Sequence, residues 1–327
     1  MKLRQPILTV LGHVDVGKTS LLDKIRGTAI HLKEAGGITQ HIGASFLPSE
    51  VIIRISQKLI EKYKISLQIP GILLIDTPGH EIFSNLRRRG GSVADMAILV
   101  IDILKGLEKQ TYESIEILKS RKVPFVIALN KLDKFEGWKI SETYYFTESL
   151  ELQNEKVKER LDERIYEIVA NLSKLGINSE RFDRVKDFSK TVAIVPTSAI
   201  YGIGIAELLL VISGFSQIYL KSRIAYTEGL AEGVVLEVKE EIGLGKTIDV
   251  IIFNGILKKG DLIALASSEG VIITKVKGLL MPKPLEEMRA PEDKFYNVDE
   301  VVAASGVKIL ADNLANVIPG SPLYSVT

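Results

Sequence analysis

Residues 12–19 read GHVDVGKT, and their types and spacing are those of a phosphate-binding loop. Glycines let the backbone turn around an oxyanion without a Cβ clash, and the N–H groups that begin the next helix then point at the phosphates. An apolar run over 7–11 precedes the loop and an amphipathic stretch over 20–25 follows it. An ordinary strand-to-helix turn is the alternative. The residues expected to contact phosphate are Asp15, Val16, Gly17, Lys18, Thr19 and Ser20.

Two side chains of this loop add their own chemistry. Lys18 places a positive charge at the β- and γ-phosphates, so it is a candidate for catalysis as well as binding. The Thr19 hydroxyl can ligate Mg²⁺.

Asp76 follows the apolar run 72–75 and begins the sequence DTPGH over 76–80. An aspartate at the end of a buried strand that faces a phosphate loop can hold Mg²⁺ through its water shell. Gly79 can offer its backbone N–H to a γ-phosphate, and hydrolysis would remove that contact. We therefore expect this segment to change state with the nucleotide.

Base selection is predicted from the sequence NKLD over 130–133, after the apolar run 125–129. The carboxylate of Asp133 can accept two hydrogen bonds from the N1 and N2 donors of guanine, a pair that adenine lacks. Asn130 and the aliphatic part of Lys131 can fix and cover the ring. Ser198 and Ala199, after the run 192–196, supply a last base-contacting loop. A solvated turn is the alternative for NKLD.

The sequence GGITQ over 36–40 lies between these motifs. Thr39 can close on Mg²⁺ when a γ-phosphate is present, and the glycines before it permit large backbone changes. A plain loop threonine is the alternative. Together the motifs predict a GTP-binding switch.

His80 refines the class of switch. Many small GTPases carry glutamine after the Asp-x-x-Gly motif, whereas translation-factor GTPases carry histidine, as this chain does. Its expected task is to position the attacking water and to favour charge development at the γ-phosphate. A surface histidine that caps the following helix is the alternative.

Composition limits the class of protein. A chain of 327 residues, 46% of them apolar, is long enough for about two domains with sizeable cores. The net charge of +1 gives no global basic field for nucleic acid, and the lack of cysteine excludes disulfides and disfavours structural zinc. The apolar runs are shorter than the roughly 20 residues of a membrane span. We expect a cytoplasmic monomer with no membrane contact.

Alternation of apolar runs and amphipathic stretches predicts an α/β fold with a mainly parallel sheet, whose ligands lie at the carboxyl ends of strands. The predicted strands are 6–11, 51–56, 66–76, 97–102, 123–129 and 192–196. The predicted helices are 18–26, 81–90, 109–121, 147–175 and 204–221.

From about Tyr226 glycines punctuate short β-rich runs, which predicts a small barrel or sandwich. We place the boundary near 222–227, giving a first domain over 1–224 and a second over 225–327. The sequence GLGKT over 243–247 resembles a second phosphate loop, but no helix pattern follows it. We interpret it as a hairpin turn.

The motifs resemble those of translation initiation factor 5B of archaea and eukaryotes, the relative of bacterial initiation factor 2. Residues 35–43 (AGGITQHIG) are similar to its first switch, and 76–91 to its second switch and helix. Residues 130–138, 287–289 and 303–311 match the archaeal and eukaryotic branch better than the bacterial one.

This resemblance covers essentially the whole chain and implies a P-loop GTPase domain followed by a translation-factor β-barrel. It implies GTP, GDP and Mg²⁺ as ligands and the ribosome as partner, through large-subunit RNA and the small subunit. The family promotes joining of the ribosomal subunits, and GTP hydrolysis then permits release. His80 would be oriented by large-subunit RNA.

Three residues match finer features of the family. Val14 and Ile38 match positions of a hydrophobic gate before the histidine, with plain packing as the alternative. Asp15 matches an aspartate that helps to bind K⁺ or Na⁺, with a turn-stabilising aspartate as the alternative.

Two departures from the family pattern are visible. The stretch 147–175 predicts one or two extra helices packed on the first domain, with a partner-binding face as the alternative. Family members continue into domains that engage initiator tRNA, so we expect a fragment that hydrolyses GTP slowly and binds initiator tRNA poorly.

The basic run 87–89 predicts a solvated helix face or a contact with RNA phosphates. Another translational GTPase, or a GTP-binding scaffold that barely hydrolyses, is the competing interpretation.

Overall fold

A computed structural model describes residues 2–31, 39–76, 87–88, 91–283 and 294–326, with residues 30–31, 39, 87–88 and 91–92 described by their backbone alone. The helices are α1 (Lys18–His31), α2 (Ser49–Ile55), α3 (Gln57–Tyr63), α4 (Lys109–Ser120), α5 (Phe146–Glu151), α6 (Glu155–Lys174), α7 (Ile205–Tyr219) and α8 (Lys221–Ile224). In the described ranges short 3₁₀ helices are formed by Leu132–Lys134, Phe182–Arg184 and Leu314–Asn316.

The strands of the first two-thirds are β1 (Lys2–Leu3), β2 (Ile7–Gly12), β3 (Thr39–His41), β4 (Ala44–Pro48), β5 (Gly71–Ile75), β6 (Arg87–Arg88), β7 (Gly91–Ser92), β8 (Met96–Asp102), β9 (Phe125–Asn130), β10 (Ser179–Arg181) and β11 (Val192–Pro196). Those of the last third are β12 (Ala225–Tyr226), β13 (Glu232–Glu241), β14 (Gly245–Asn254), β15 (Ile256–Lys258), β16 (Leu262–Ser267), β17 (Gly270–Lys275), β18 (Gly278–Pro282), β19 (Phe295–Val298), β20 (Glu300–Val302), β21 (Ser305–Leu310) and β22 (Pro322–Val326).

The first sheet has the order β10-β11-β9-β8-β2-β5-β4-β3 among the described residues. The pairings from β10 to β5 are parallel, and β4 and β3 continue antiparallel. The predicted α/β fold with a mainly parallel sheet is confirmed. Because β2, β5, β9 and β11 are parallel, their carboxyl ends lie at the same edge of the sheet.

Strand β8 shows why this sheet is covered on both faces. Met96, Ile98 and Val100 belong to a core shared with α1, α2 and α7. Ala97, Leu99 and Ile101 belong to the opposite core, shared with α4, α5 and α6. A strand buried on both faces is a continuous apolar run rather than an alternating one.

The prediction of a strand over 51–56 is wrong, because these residues lie in α2 and the start of the next turn. The run is rich in β-branched side chains, which favours strands locally. However, Val51, Ile52 and Ile55 are buried while Ile53 is 39% exposed. This is the spacing of a helix face, and its packing against the core outweighs local propensity.

Other predicted elements change their bounds. Strand 66–76 is confirmed only over Gly71–Ile75, and helix 18–26 extends to His31. The predicted helix 147–175 is divided into α5 and α6, within the expected one or two extra helices, and the Asn154 side chain caps α6 by accepting from Val157 N–H. Of the predicted helix 81–90 only 87–88 is described, and it is a short strand paired with β7, so a helix there is wrong.

The last third is a β-rich domain, as predicted. An antiparallel sheet of order β17-β16-β22-β13-β14-β21-β18-β19 encloses its own apolar core among the described residues. Strands β13 and β14 form a hairpin whose last pair is Glu241 with Gly245. The interpretation of GLGKT as a hairpin turn is therefore confirmed.

The two parts of the chain share a third apolar cluster. Ile7, Leu73 and Ile75 of the first sheet pack with Val234 and Ile251 of the second. This cluster buries one face of each sheet against the other.

Backbone contacts accompany this cluster. Ile42 N–H donates to Gly306 O at 3.2 Å, and Gly306 N–H donates to His41 Nδ1 at 3.2 Å. A Cβ at Gly306 would lie 2.0 Å from Ile42 O, so only glycine fits there. Burial lowers the pKa of His41 to about 4, which agrees with a neutral ring that accepts this hydrogen bond.

Candidate nucleotide site

Two glycines of the phosphate loop are required by close contacts. Gly12 has a φ of 147° and a Cβ there would lie 2.5 Å from Val100 O. Gly17 has a φ of 95° and a Cβ there would lie 2.5 Å from Asn130 Nδ2. The loop therefore packs directly on β8 and on the end of β9.

Lys18 begins α1 and turns back over the loop. Its Nζ donates to Gly12 O at 2.8 Å and to His13 O at 2.6 Å. Burial lowers the pKa of Lys18, while the charge of Asp15 acts in the opposite direction. An ammonium has three donors, so one N–H remains for a phosphate oxygen.

The first part of the loop is held by the start of α4. Val14 N–H donates to Gln110 Oε1 at 2.9 Å, and Gln110 N–H approaches His13 Nδ1 at 3.4 Å. Val14 is 53% exposed and Asp15 has a left-handed φ of 60°. Sequence reasoning missed Gln110, because nothing in the chain near residue 110 marks it as a neighbour of the loop.

Asn130 joins three of the predicted segments. Its buried side chain donates from Nδ2 to Val16 O at 2.9 Å. Its Oδ1 accepts from Ala199 N–H at 3.0 Å and from Thr197 Oγ1 at 3.3 Å. The amide therefore fixes the phosphate loop and the 197–199 loop relative to the end of β9.

Asp133 and Lys131 are each held by a side chain. Ser198 Oγ donates to Asp133 Oδ1 at 2.6 Å, which leaves Oδ2 and further lone pairs free to accept. Lys131 has a left-handed φ of 69°, and its Nζ donates to Asp102 Oδ2 at 2.7 Å. Sequence reasoning missed Asp102, the last residue of β8.

These loops enclose a cavity of about 430 Å³. It is lined by Asp15, Gly17, Lys18, Thr19, Ser20, Asn130, Lys131, Asp133, Lys134, Ala199 and Ile200. The structure thus brings the phosphate loop and both base-side loops to one site. Lys134 and Ile200 were not predicted, although each directly follows a predicted motif.

Asp76 lies at the end of β5, beside α1. Its Oδ1 accepts from Ser45 Oγ at 2.8 Å and from Arg26 Nη2. Burial raises the pKa of Asp76, and the Arg26 charge and the Ser45 hydrogen bond oppose that shift. Asp76 does not line the cavity described above.

The donor set suits Mg²⁺. The Thr19 hydroxyl and the Asp76 carboxylate are hard oxygen ligands, which this ion prefers. Within the described ranges no cluster of three or more His, Cys, Asp or Glu side chains could hold a metal alone. A site that relies on substrate phosphates for further ligands fits this arrangement.

Several predicted residues lie outside the described residues: Gly36, Gly37, Ile38, Gly79, His80, Arg89 and Glu287. The backbone of Thr39 is described, in register with Phe46 of β4. The 39–41 strand, which lies within the predicted first switch, therefore belongs to the first sheet.

Comparison with known proteins decides the family. The elongation factor Tu GTP binding domain family matches residues 4–217, which is more than half of the chain. The chain belongs to this family. The match extends from the strand before the phosphate loop to the last turn of α7.

Longer relatives share nearly the whole chain. Proteins named probable translation initiation factor IF-2 are 56% identical over 323 residues in Sulfolobus acidocaldarius and 57% identical over 325 in Saccharolobus solfataricus. Each match covers 99% of this chain and 54% of the relative. The chain spans about half the length of the curated relatives it matches.

Solved structures agree with the sequence comparison. GDP-bound aIF5B from Aeropyrum pernix superposes with a TM-score of 0.96 at 56% identity, over 99% of this chain and 54% of that one. The elongation factor SelB from Methanococcus maripaludis, in its apo form, reaches a TM-score of 0.60 at 21% identity, over 99% of this chain and 56% of that one. The SelB likeness shows the fold alone.

Among the described residues no helix is long and apolar enough to cross a membrane.

Proposed function

We propose that this chain is the GTP-hydrolysing part of a translation initiation factor that acts in ribosomal subunit joining. The observation that carries the proposal is the position of Asn130, whose one side chain bonds to the phosphate loop and to the 197–199 loop. This bond set holds a cavity that has a phosphate-binding end and a guanine-reading end. The 56% identity with initiation factors supports the cellular role.

Guanine selection is assigned to Asp133. Its carboxylate lines the cavity and retains a free oxygen beside the one that Ser198 holds. The Lys131 stem and Ala199 line the same cavity, where they can contact the ring. Adenine would leave the carboxylate without its two hydrogen-bond donors. Binding of adenine is therefore strongly disfavoured, because a site built to pair these groups loses affinity when they stay unpaired.

The phosphates are assigned to the loop and the start of α1. Backbone N–H groups from Asp15 to Ser20 and the Lys18 ammonium would bind them, at the positive end of the helix. Mg²⁺, held by the hydroxyls of Thr19 and Thr39 and by Asp76 through water, would neutralise charge on the β- and γ-phosphates. Asp15 is the candidate for a neighbouring K⁺ or Na⁺.

Hydrolysis is assigned to His80 together with Thr39 and Gly79. His80 would orient the attacking water, Gly79 N–H would contact the γ-phosphate, and Val14 with Ile38 would restrict access to the histidine. The exposed Val14 side chain supports this last role, because a fully packed residue could not act as a gate. The ribosome would orient His80 through large-subunit RNA, and initiator tRNA would be bound by parts of the longer factor.

The test has two stages. Equilibrium binding of fluorescent GDP, competed with GTP, ATP and XTP, checks the cavity, and we expect GTP to exceed ATP by at least about 10³-fold, within the range that paired polar sites achieve. GTP turnover with and without archaeal ribosomes checks the role, and we expect stimulation. Preference for ATP would refute the proposal. Guanine binding without turnover would instead indicate a scaffold that signals by conformation.

A further inference from the structure

Arg26 of α1 contacts two other elements through one guanidinium. Its Nε donates to Ser45 Oγ at 3.0 Å, and its Nη2 donates to Asp76 Oδ1. Ser45 Oγ in turn donates to the same Asp76 Oδ1 at 2.8 Å. We call these three residues the Arg26 cluster. It closes a ring of hydrogen bonds in which one carboxylate oxygen is held from two directions.

The Arg26 cluster links three segments: the helix that follows the phosphate loop, the strand paired with the predicted first switch, and the DTPGH motif. Arg26 lies on α1, which begins with Lys18 of the phosphate loop. Ser45 lies on β4, which pairs with Thr39–His41 of the predicted first switch. Asp76 begins the DTPGH motif. No other set of described contacts in the site joins these three segments through side chains.

Of the three residues, Ser45 is the buried one, so its two bonds are the hardest to exchange. Ser45 is 2% exposed, so its hydroxyl must bond within the protein. The Arg26 and Asp76 side chains are 24% and 33% exposed. Among the contacts of the described residues no donor reaches Asp76 Oδ2, so this oxygen alone remains to accept from a new partner.

We propose that Arg26 is a positioning residue for Mg²⁺-coupled nucleotide binding: by fixing Asp76 Oδ1 together with Ser45, it leaves Oδ2 to accept from the hydration shell of the ion. This inference rests on the proposed function of the site. Groups that hydrogen-bond a metal-binding carboxylate typically change metal affinity by about 10–100-fold. The planar guanidinium bonds two acceptors at fixed angles, which a lysine ammonium does not reproduce.

The experiment measures release of fluorescent GDP across a Mg²⁺ titration, in excess unlabelled GDP. The readout is the Mg²⁺ concentration at which release is half-maximally slowed, and it does not depend on hydrolysis. For Arg26→Ala we expect this concentration to rise about 10-fold. Ser45→Ala, which removes one of the two donors to Oδ1, should raise it less. Arg26→Lys should lie between Arg26→Ala and the wild type.

Arg160→Ala is the matched control. Arg160 forms an exposed ion pair with Glu136 on the other face of the first sheet, and its removal should leave the Mg²⁺ dependence unchanged. Thermal unfolding of each variant checks that it folds. If Arg26→Ala does not fold, Arg26→Lys and Ser45→Ala still decide the question.

The outcomes are distinct. Unchanged or lower Mg²⁺ requirement in Arg26→Ala would overturn the inference, and the lower one would show that Arg26 competes with the ion. A wild-type profile for Arg26→Lys would also overturn it, because charge alone would then suffice. Absence of GDP binding by the wild type would instead refute the proposed function.

Discussion

On the base side of the cavity, formed by residues 130–134 and 197–201, Asn130 is held by Ala199 and Asp133 is held by Ser198. On the phosphate side, formed by residues 12–20, Lys18 is held by backbone carbonyls of the loop, and Asp76, which does not line the cavity, is held by Ser45 and Arg26. The base side is thus preformed through contacts between loops far apart in sequence. By contrast, Lys18 retains one N–H donor, and Asp76 retains Oδ2 as an acceptor, for a ligand.

This difference teaches how one cavity can be selective and still respond to its ligand. A preformed base side loses little entropy on binding, which favours affinity for either guanine nucleotide. A phosphate side with exchangeable contacts can distinguish GTP from GDP, because a ligand shifts an equilibrium only by its differential interactions with the two states. The predictions below test this division.

The largest effect is expected for His80→Ala. Loss of the group that orients water should lower ribosome-stimulated GTP hydrolysis about 10³-fold, within the range of general acid–base contributions. GDP affinity should change less than about twofold, because His80 lies outside the base-binding loops. Single-turnover hydrolysis and GDP titration measure the two quantities. Equal hydrolysis by the variant would remove His80 from the mechanism.

Asp133→Asn tests the base side directly. The amide offers one donor and one acceptor where guanine needs two acceptors, so GDP affinity should fall about 10²-fold. The affinity for XDP, which carries an oxygen in place of the N2 amine, should fall far less than that for GDP. Competition titrations with both nucleotides check this, with the exposed Asp187→Asn as the control. Retained GDP preference would place base selection elsewhere.

Glu207→Gln tests the scaffold behind the base side. Glu207 lies in the first turn of α7 and accepts from Thr147 N–H at 3.1 Å, while its buried Oε2 has no partner among the described residues. Burial raises the pKa of Glu207 to about 6 from 4.5. The folded state therefore holds a proton that the unfolded chain loses, and ionised Glu207 is destabilising above pH 6.

The sign of the Glu207→Gln effect follows from this shift. Near pH 7.5 the variant should gain about 2 kcal/mol of stability, or a rise of roughly 4–8 °C in Tm. Near pH 4.5 the gain should vanish, because wild-type Glu207 is then protonated in the folded state. Thermal unfolding at both pH values measures this. A gain of equal size at both would show that ionisation is not its cause.

Ser198→Ala should have the smallest effect. It removes the one described hydrogen bond that orients Asp133 but leaves the carboxylate, so GDP affinity should fall roughly fivefold, about the net value of one hydrogen bond. The ratio of GTP to ATP affinity should be nearly unchanged. If Ser198→Ala lowered GDP affinity as much as Asp133→Asn does, the Asp133 carboxylate would not be held in its binding position without Ser198.

Sequence patterns were sufficient where chemistry is local. The phosphate loop depends on glycines and a helix start within eight residues, and NKLD depends on a strand end, so both were found. The β pattern of the second domain was indicated by glycines between short β-rich runs, and the one or two extra helices by an amphipathic stretch. These patterns are visible in the sequence itself, whichever distant strands and core residues the elements later pack against.

Sequence patterns failed where tertiary contacts decide. Residues 51–56 form a helix because three of them meet the core at helical spacing. The bonds of Gln110 to Val14, of Lys131 to Asp102 and of Arg26 to Asp76 join residues 29 to 96 positions apart. No local pattern marks such pairs, since each residue alone resembles an ordinary surface side chain.

The apolar cluster shared by the two sheets has a practical consequence for any shorter version of this protein. A fragment ended at Ile224 would expose Ile7, Leu73 and Ile75 to water. Such a surface promotes self-association. Nucleotide affinities measured on that fragment would reflect aggregation as well as binding, so the first domain is best assayed with its β-rich neighbour attached.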